Sequence, residues 1–141
     1  MRILVTGSRT WGSYVDVYNA IRLHASDVDQ DSDVPIVHGG ARGADMIAGQ
    51  IANDLGMHEE IHLANWDSCG PECKMSHKRQ RQNGDWYCPR SGFVRNAHMV
   101  DKGADVCLAF YKGASKGTDM CAKLADKAGI PVHKFMDVRG D

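Results

Sequence analysis

VPIVHGGARGADMIAGQIANDLG, residues Val34 to Gly56, joins a short apolar run to a long amphipathic one through a glycine-rich turn. Val34 to His38 reads as an apolar strand ending in Gly39-Gly40. Ala44, Ile47, Ala48, Ile51, Ala52 and Leu55 then recur at i, i+3, i+4, i+7, i+8 and i+11, which is one face of a helix. That face is mostly small, so the helix can lie close to a sheet. Gly56 is a stop signal just past its end.

Outward from this unit the pattern repeats. Arg2 to Thr6 is a buried strand ending in Gly-Ser, and Tyr14 to Ala25 is a modest helix. Asp27 to Asp33 is a polar connection. Met57 to Leu63 reads as a third strand. Ser91 to Lys102 reads as a helix ended by Gly103, and Asp105 to Tyr111 as a fourth strand. A helix from Thr118 to Ala128, capped by Gly129, leads to a last strand over Ile130 to Phe135. Strands alternating with helices imply a parallel sheet covered on both faces. With right-handed crossovers, the expected fold is α/β: a Rossmann-like, doubly wound parallel sheet of about five strands in the order 3-2-1-4-5.

The chain has 141 residues and a net charge of −1. That suits a single domain over residues 1–141, without the whole-surface charge that duplex DNA or an anionic membrane would select. No segment approaches the ~18 apolar residues of a membrane span. MRILVTG enters a strand directly, without a leader pattern, so a cytoplasmic location is expected. Five cysteines in a reducing compartment suggest metal or buried thiols before disulfides.

One stretch interrupts the alternation. Residues 67–90 form an insertion between the third strand and the following helix. Within it Cys69, Cys73, His77 and Cys88 are spaced C-x3-C-x3-H-x10-C, a set able to hold structural Zn2+ tetrahedrally. A long excursion needs something to order it, and a closed Cys3His site would supply that. His58, His62 or His98 could stand in for His77. The same stretch sets Lys78, Arg79 and Arg81 beside Trp86 and Tyr87. That combination suits single-stranded nucleic acid, although the run is short and nucleic acid is not the expected partner. Cys107 and Cys121 read as buried, inert thiols.

In such sheets ligands bind beyond the carboxyl ends of the strands, where the strand order reverses. Three glycine-bearing loops converge there. They are Thr6-Gly7-Ser8-Arg9 after strand one, Gly39-Gly40-Ala41-Arg42-Gly43-Ala44-Asp45 after strand two, and Gly113-Ala114-Ser115-Lys116-Gly117-Thr118 after strand four. Glycine lets a phosphate approach bare N–H groups, a helix N-terminus adds positive potential, and Arg or Lys supplies the rest. Neither a Walker A loop nor a G-x-G-x-x-G fingerprint occurs. Arg95 and Asn96, just past the insertion, complete the expected wall. Asp45 is placed to take a ribose hydroxyl. Trp11 and Trp66 flank the edge, as stacking or loop-packing rings. His38 reads as a phosphate donor or a satisfied core-edge histidine.

TGSRTW (Thr6 to Trp11), VHGGARGAD (Val37 to Asp45), RNAHMVDKGAD (Arg95 to Asp105), LAFYKGASKGT (Leu108 to Thr118) and AGIPV (Ala128 to Val132) occur in order across most of the chain. Together they resemble the YspA/YpsA-related branch of the SLOG superfamily, small Rossmann-like proteins common in bacteria and phages. The resemblance implies a nucleotide or nucleotide-derived ligand, and a homodimer. The superfamily includes the Lonely Guy phosphoribohydrolases, whose signature is PGGxGTxxE with an upstream arginine in R-K-x-x-M. Here Gly117-Thr118 matches the Gly-Thr pair, Arg95 to Met99 keeps R-x-x-x-M, and the glutamate position holds Cys121. N-glycosidic cleavage needs a carboxyl group, and a thiol does not replace it; Asp119 or Asp45 would have to. The expected role is therefore binding, sensing or sequestering a nucleotide-derived ligand. Phosphoribohydrolase-like N-glycosidase activity is the alternative.

Overall fold

A computed structural model describes residues 2–25, 34–64, 79–80, 86–87 and 91–137. The elements run β1 (Ile3–Gly7), α1 (Tyr14–Ala25), β2 (Ile36–His38), α2 (Ala44–Leu55), β3 (Glu59–Ile61), β4 (Arg79–Gln80), β5 (Trp86–Tyr87), α3 (Ser91–Asp101), β6 (Val106–Tyr111), α4 (Lys116–Lys127) and β7 (Val132–Met136). Five strands form one sheet in the order β3-β2-β1-β6-β7, every pairing parallel. This is the 3-2-1-4-5 order expected from the sequence.

The two-residue alternation of the strands divides the core. Ile3, Val5, Leu108 and Phe110 face α1 and α2, where Val17, Ile21, Ala44, Ala48 and Ile51 meet them. Leu4, Val37 and Cys107 point the other way, onto Met99 and Val100 of α3 and Cys121 and Ala125 of α4. The sheet is thus covered on both faces, which is why its central strands read as continuous apolar runs. β1 and β6 pair from Ile3↔Val106 to Gly7↔Phe110, and their carboxyl ends form the point where the strand order reverses.

Several boundaries differ from the sequence expectation for identifiable reasons. Val34 and Pro35 lie outside β2; Pro35 contributes only its carbonyl, to the N–H of Ile3. β3 is an edge strand matched to a three-residue partner, so it pairs only from Ile36↔Glu59 to His38↔Ile61. α4 starts at Lys116 because Ser115 occupies the N-cap. β7 starts at Val132 because the Ile130 N–H is used to close α4 on Ala125 O. Within the 67–90 insertion, β4 and β5 pair antiparallel and set Arg79 opposite Tyr87, a ladder the sequence did not announce. Cys69, Cys73, His77 and Cys88 lie outside the described residues. Among those described, no group of three or more His, Cys, Asp or Glu could hold a metal ion. No helix among them is long and apolar enough to cross a membrane.

Candidate functional site

A cavity of about 420 Å3 opens at the carboxyl edge of the sheet, over the ends of β1 and β6. Its floor is the turn after β1. Gly7 is there because nothing larger fits: a Cβ would overlap that of Ala44 and lie 3.0 Å from Phe110 O. Ser8 is 4% exposed and ties three elements together. Its N–H donates to Phe110 O (2.8 Å), its Oγ accepts from the Lys112 N–H (2.9 Å), and its carbonyl accepts from Trp11 and Ala44. Arg9 follows on the rim.

The second wall is the start of α4. Ser115 is the N-cap residue, yet it makes no side-chain cap; its Oγ donates instead to Thr118 Oγ1 at 2.6 Å. The first N–H groups of a helix have no intrahelical acceptor, so this terminus presents uncapped donors and the positive end of the helix dipole. Ser115, Lys116, Gly117 and Thr118 all line the cavity, with Lys112 beside them. This is anion-binding geometry.

The third wall carries a carboxylate. Asp45, in the first turn of α2, is 5% exposed. Its Oδ2 accepts from the Gly39 N–H (3.0 Å) and, at longer range, the Ala41 N–H (3.4 Å). Its Oδ1 is buried without a hydrogen-bond partner. Burial pushes the Asp45 carboxyl above its usual range, against the opposing pull of the Gly39 N–H and Arg95. Arg95 also lines the cavity. Its Nη1 donates to Gly39 O (2.6 Å) and His62 O (3.2 Å), and its Nε donates to Asn96 Oδ1 (2.8 Å). Asn96 in turn donates to Gly117 O at 3.3 Å, joining α3 to α4. Arg95 therefore braces the loops after β2 and β3 while adding positive charge to the cavity.

Residues 1–68 match the model of the YspA, cpYpsA-related SLOG family. The chain is also 39% identical, over 143 residues, to the Gene 61 protein of Mycobacterium phage D29, an alignment spanning 96% of this chain and 97% of that protein. The chain belongs to the YspA, cpYpsA-related SLOG family. Among solved structures, DNA processing protein A (DprA) from Streptococcus pneumoniae superposes with a TM-score of 0.63 at 18% identity. The match covers 94% of this SLOG chain but 49% of DprA, so the chain spans about half of that protein's length. TM1055, a structural genomics target, superposes with a TM-score of 0.58 at 16% identity, covering 93% of this chain and 71% of that one. At these identities the two structures speak for the fold.

Of the residues the sequence nominated in this SLOG protein, Gly7, Ser8, Arg9, Asp45, Arg95, Asn96, and Ser115 to Thr118 line the cavity. Gly39, Gly40, Arg42 and Gly43 do not. Three of these shape the loop instead. A Cβ on Gly39 would overlap the Arg95 guanidinium; Gly40 has φ +72°; Gly43, at φ +80°, backs onto the Ser8 and Arg9 backbone. Arg42 is exposed. His38 is a satisfied core-edge histidine. It accepts the Gly40 N–H at Nδ1 (2.9 Å), so Nε2 carries the proton donated to Glu59 Oε1 (2.7 Å). Trp11 is a loop-packing ring, tilted against Phe110 at 5.2 Å with its Nε1 donating to Ser13 O.

Thr10, Phe93 and Lys112 line the cavity without having been nominated. Lys112 was legible, since it directly precedes Gly113 in a loop already singled out. Phe93 was not: its exposure depends on how α3 sits against the sheet. Cys121, which aligns with the glutamate of the Lonely Guy signature, is fully buried, and burial pushes its thiol to about 11. Asp119 bonds to Lys123 at 2.9 Å and Tyr111 at 3.4 Å and does not line the cavity. Asp45 is thus the one carboxylate among the described residues that lines it.

Proposed function

We propose that this SLOG protein binds a nucleotide or nucleotide-derived ligand at the carboxyl edge of its sheet, as a sensor, carrier or sequestering protein. Family membership supports a nucleotide-related role. The observation that carries the reading is the pairing, in one cavity, of an uncapped helix N-terminus with a buried, unpartnered carboxylate oxygen. The first suits a phosphate. The second repels a phosphate and calls for a hydrogen-bond donor such as a ribose hydroxyl. A molecule carrying both groups satisfies both ends.

Isothermal titration with nucleoside monophosphates, NAD and ADP-ribose tests this. Stoichiometric binding, weakened about tenfold or more in Asp45→Asn and competed by inorganic phosphate, is the expected result. A chain that binds none of them at millimolar concentration refutes it.

A second reading, N-glycosidic hydrolysis, is favoured by one observation. The Asp45 carboxyl is held above its usual range by burial, the direction a proton donor to a leaving base requires. Base released in the same titrations, and lost in Asp45→Asn, would replace binding by hydrolysis.

The zinc reading of Cys69, Cys73, His77 and Cys88 rests on their spacing. We retain it as a proposal for a structural metal, together with the homodimer that the family resemblance suggests.

A further inference from the structure

We infer that Phe93 is the base-covering wall of the cavity, so that a nucleotide is held at three points: phosphate at α4, sugar hydroxyl at Asp45, and flat base against the Phe93 ring. The inference rests on the nucleotide reading above and goes beyond it by separating nucleotides from other phosphorylated sugars. Phe93 lies in the first turn of α3 and lines the cavity. It is 37% exposed, so part of the ring is open to a ligand in the cavity it lines.

Its neighbours along the wall are small, polar or cationic, and Phe93 is the one aromatic residue lining the cavity among those described. The ring–ring contacts of the described residues, such as Trp11–Phe110 and Phe110–Phe135, leave it out. A phosphate at the α4 terminus and a hydroxyl at Asp45 would leave this ring facing water. A heteroaromatic base would cover it, because stacking uses the π-face that every base presents. The order of the three contacts follows from charge. The anion is drawn to Lys112, Lys116 and the helix terminus and away from the Asp45 carboxylate, so the uncharged sugar and base occupy the remainder. A volume of about 420 Å3 is within the range of small-molecule sites.

The test compares ligands that differ only in the base. AMP, GMP, CMP and UMP are titrated against ribose 5-phosphate, into the wild-type chain, Phe93→Ala and Phe93→Trp. Wild type should bind at least one nucleotide about tenfold or more tighter than ribose 5-phosphate, as base–aromatic stacking delivers. Phe93→Ala should erase that gap and leave ribose 5-phosphate binding unchanged. Phe93→Trp should keep the gap, with indole fluorescence quenched by the nucleotide and not by ribose 5-phosphate. The side chain is partly exposed, so both variants should keep the wild-type circular dichroism spectrum. Wild-type nucleotide affinity in Phe93→Ala overturns the inference and leaves the nucleotide reading standing. Equal weakening of both ligand types overturns it too, since the ring would then only shape the cavity. No nucleotide binding by the wild-type chain defeats the nucleotide reading and this inference with it.

Discussion

Gly43→Ala should be among the most damaging single-methyl additions in the protein, although Gly43 does not line the cavity. Gly43 stands at φ 80°, ψ −129°, a conformation open almost only to glycine. Forcing alanine there costs about 1–3 kcal/mol in backbone strain. The new Cβ would also overlap Ser8 O and lie 2.7 Å from the Arg9 carbonyl carbon and oxygen. These are backbone atoms, pinned by the Ser8 N–H bond to Phe110 O, so they cannot swing aside. Overpacking of this kind adds about 1–3 kcal/mol. The sum is on the order of 4 kcal/mol, a large share of the roughly 5–15 kcal/mol of a typical domain. At about 3 °C per kcal/mol for a chain of this size, the melting temperature should fall by about 12 °C.

Gly56→Ala is the control. Gly56 is also left-handed (φ 70°, ψ 24°), but its Cβ would meet nothing within 4 Å. It should lose only about 1 kcal/mol, or about 3 °C. Thermal melts followed by circular dichroism, with urea titrations for the free energies, give both values. Should the two variants melt within 3 °C of each other, the close approach of the α2 loop to Ser8 and Arg9 is not what requires glycine at position 43.

Asp45→Asn should make the free protein more stable at neutral pH while weakening ligand binding. The raised carboxyl costs stability as pH climbs through its folded pKa, so the variant's advantage should grow from about pH 4 upward; urea titrations at several pH values that show no such trend would count against the buried placement. Glu60 behaves oppositely. Hydrogen bonds from Arg2, then His62, hold its carboxyl down at about 2, so its contribution is present above about pH 4.5 and lost as pH falls toward 2. Glu60→Gln should therefore flatten the acid side of the stability profile, as measured by melts between pH 2 and 6. Burial pushes the thiols of Cys107 and Cys121 far up, Cys121 to about 11. Peptide mapping after iodoacetamide treatment of the native chain at pH 8 should find both unlabelled, and label at either would contradict their burial. Native mass spectrometry should show one zinc per chain, lost in Cys69→Ser, and would report oligomeric state and retained nucleotide in the same spectrum. A metal-free mass sinks the zinc reading.

The parallel sheet was legible in the sequence because its signals are local. A 3.6-residue period such as Ala44 to Leu55 marks a helix face, and a short apolar run such as Val106 to Tyr111, bounded by turn residues, fits a strand buried on both sides. Given five strands and helical crossovers, handedness and burial left few strand orders, and 3-2-1-4-5 was among them. The ligand edge followed from topology, so Ser8, Asp45 and the Ser115 to Thr118 turn could be nominated unseen. What the sequence could not do was separate glycines that admit a ligand from glycines that admit another part of the chain. Gly43 and Gly117 look alike as letters. Only the folded packing sets Ser8 against a Cβ at the first and leaves nothing within 4 Å of a Cβ at the second. The same holds for Arg95, whose charge was plain but whose commitment to Gly39 O, His62 O and Asn96 depends on residues 56, 33 and 1 positions away. The exposed ring of Phe93 and the unpartnered oxygen of Asp45 are likewise properties of neighbours rather than of a motif. Periodicity determines which faces are buried; what remains unsatisfied once they are buried is decided by contacts between distant segments, and there the chemistry of the site resides.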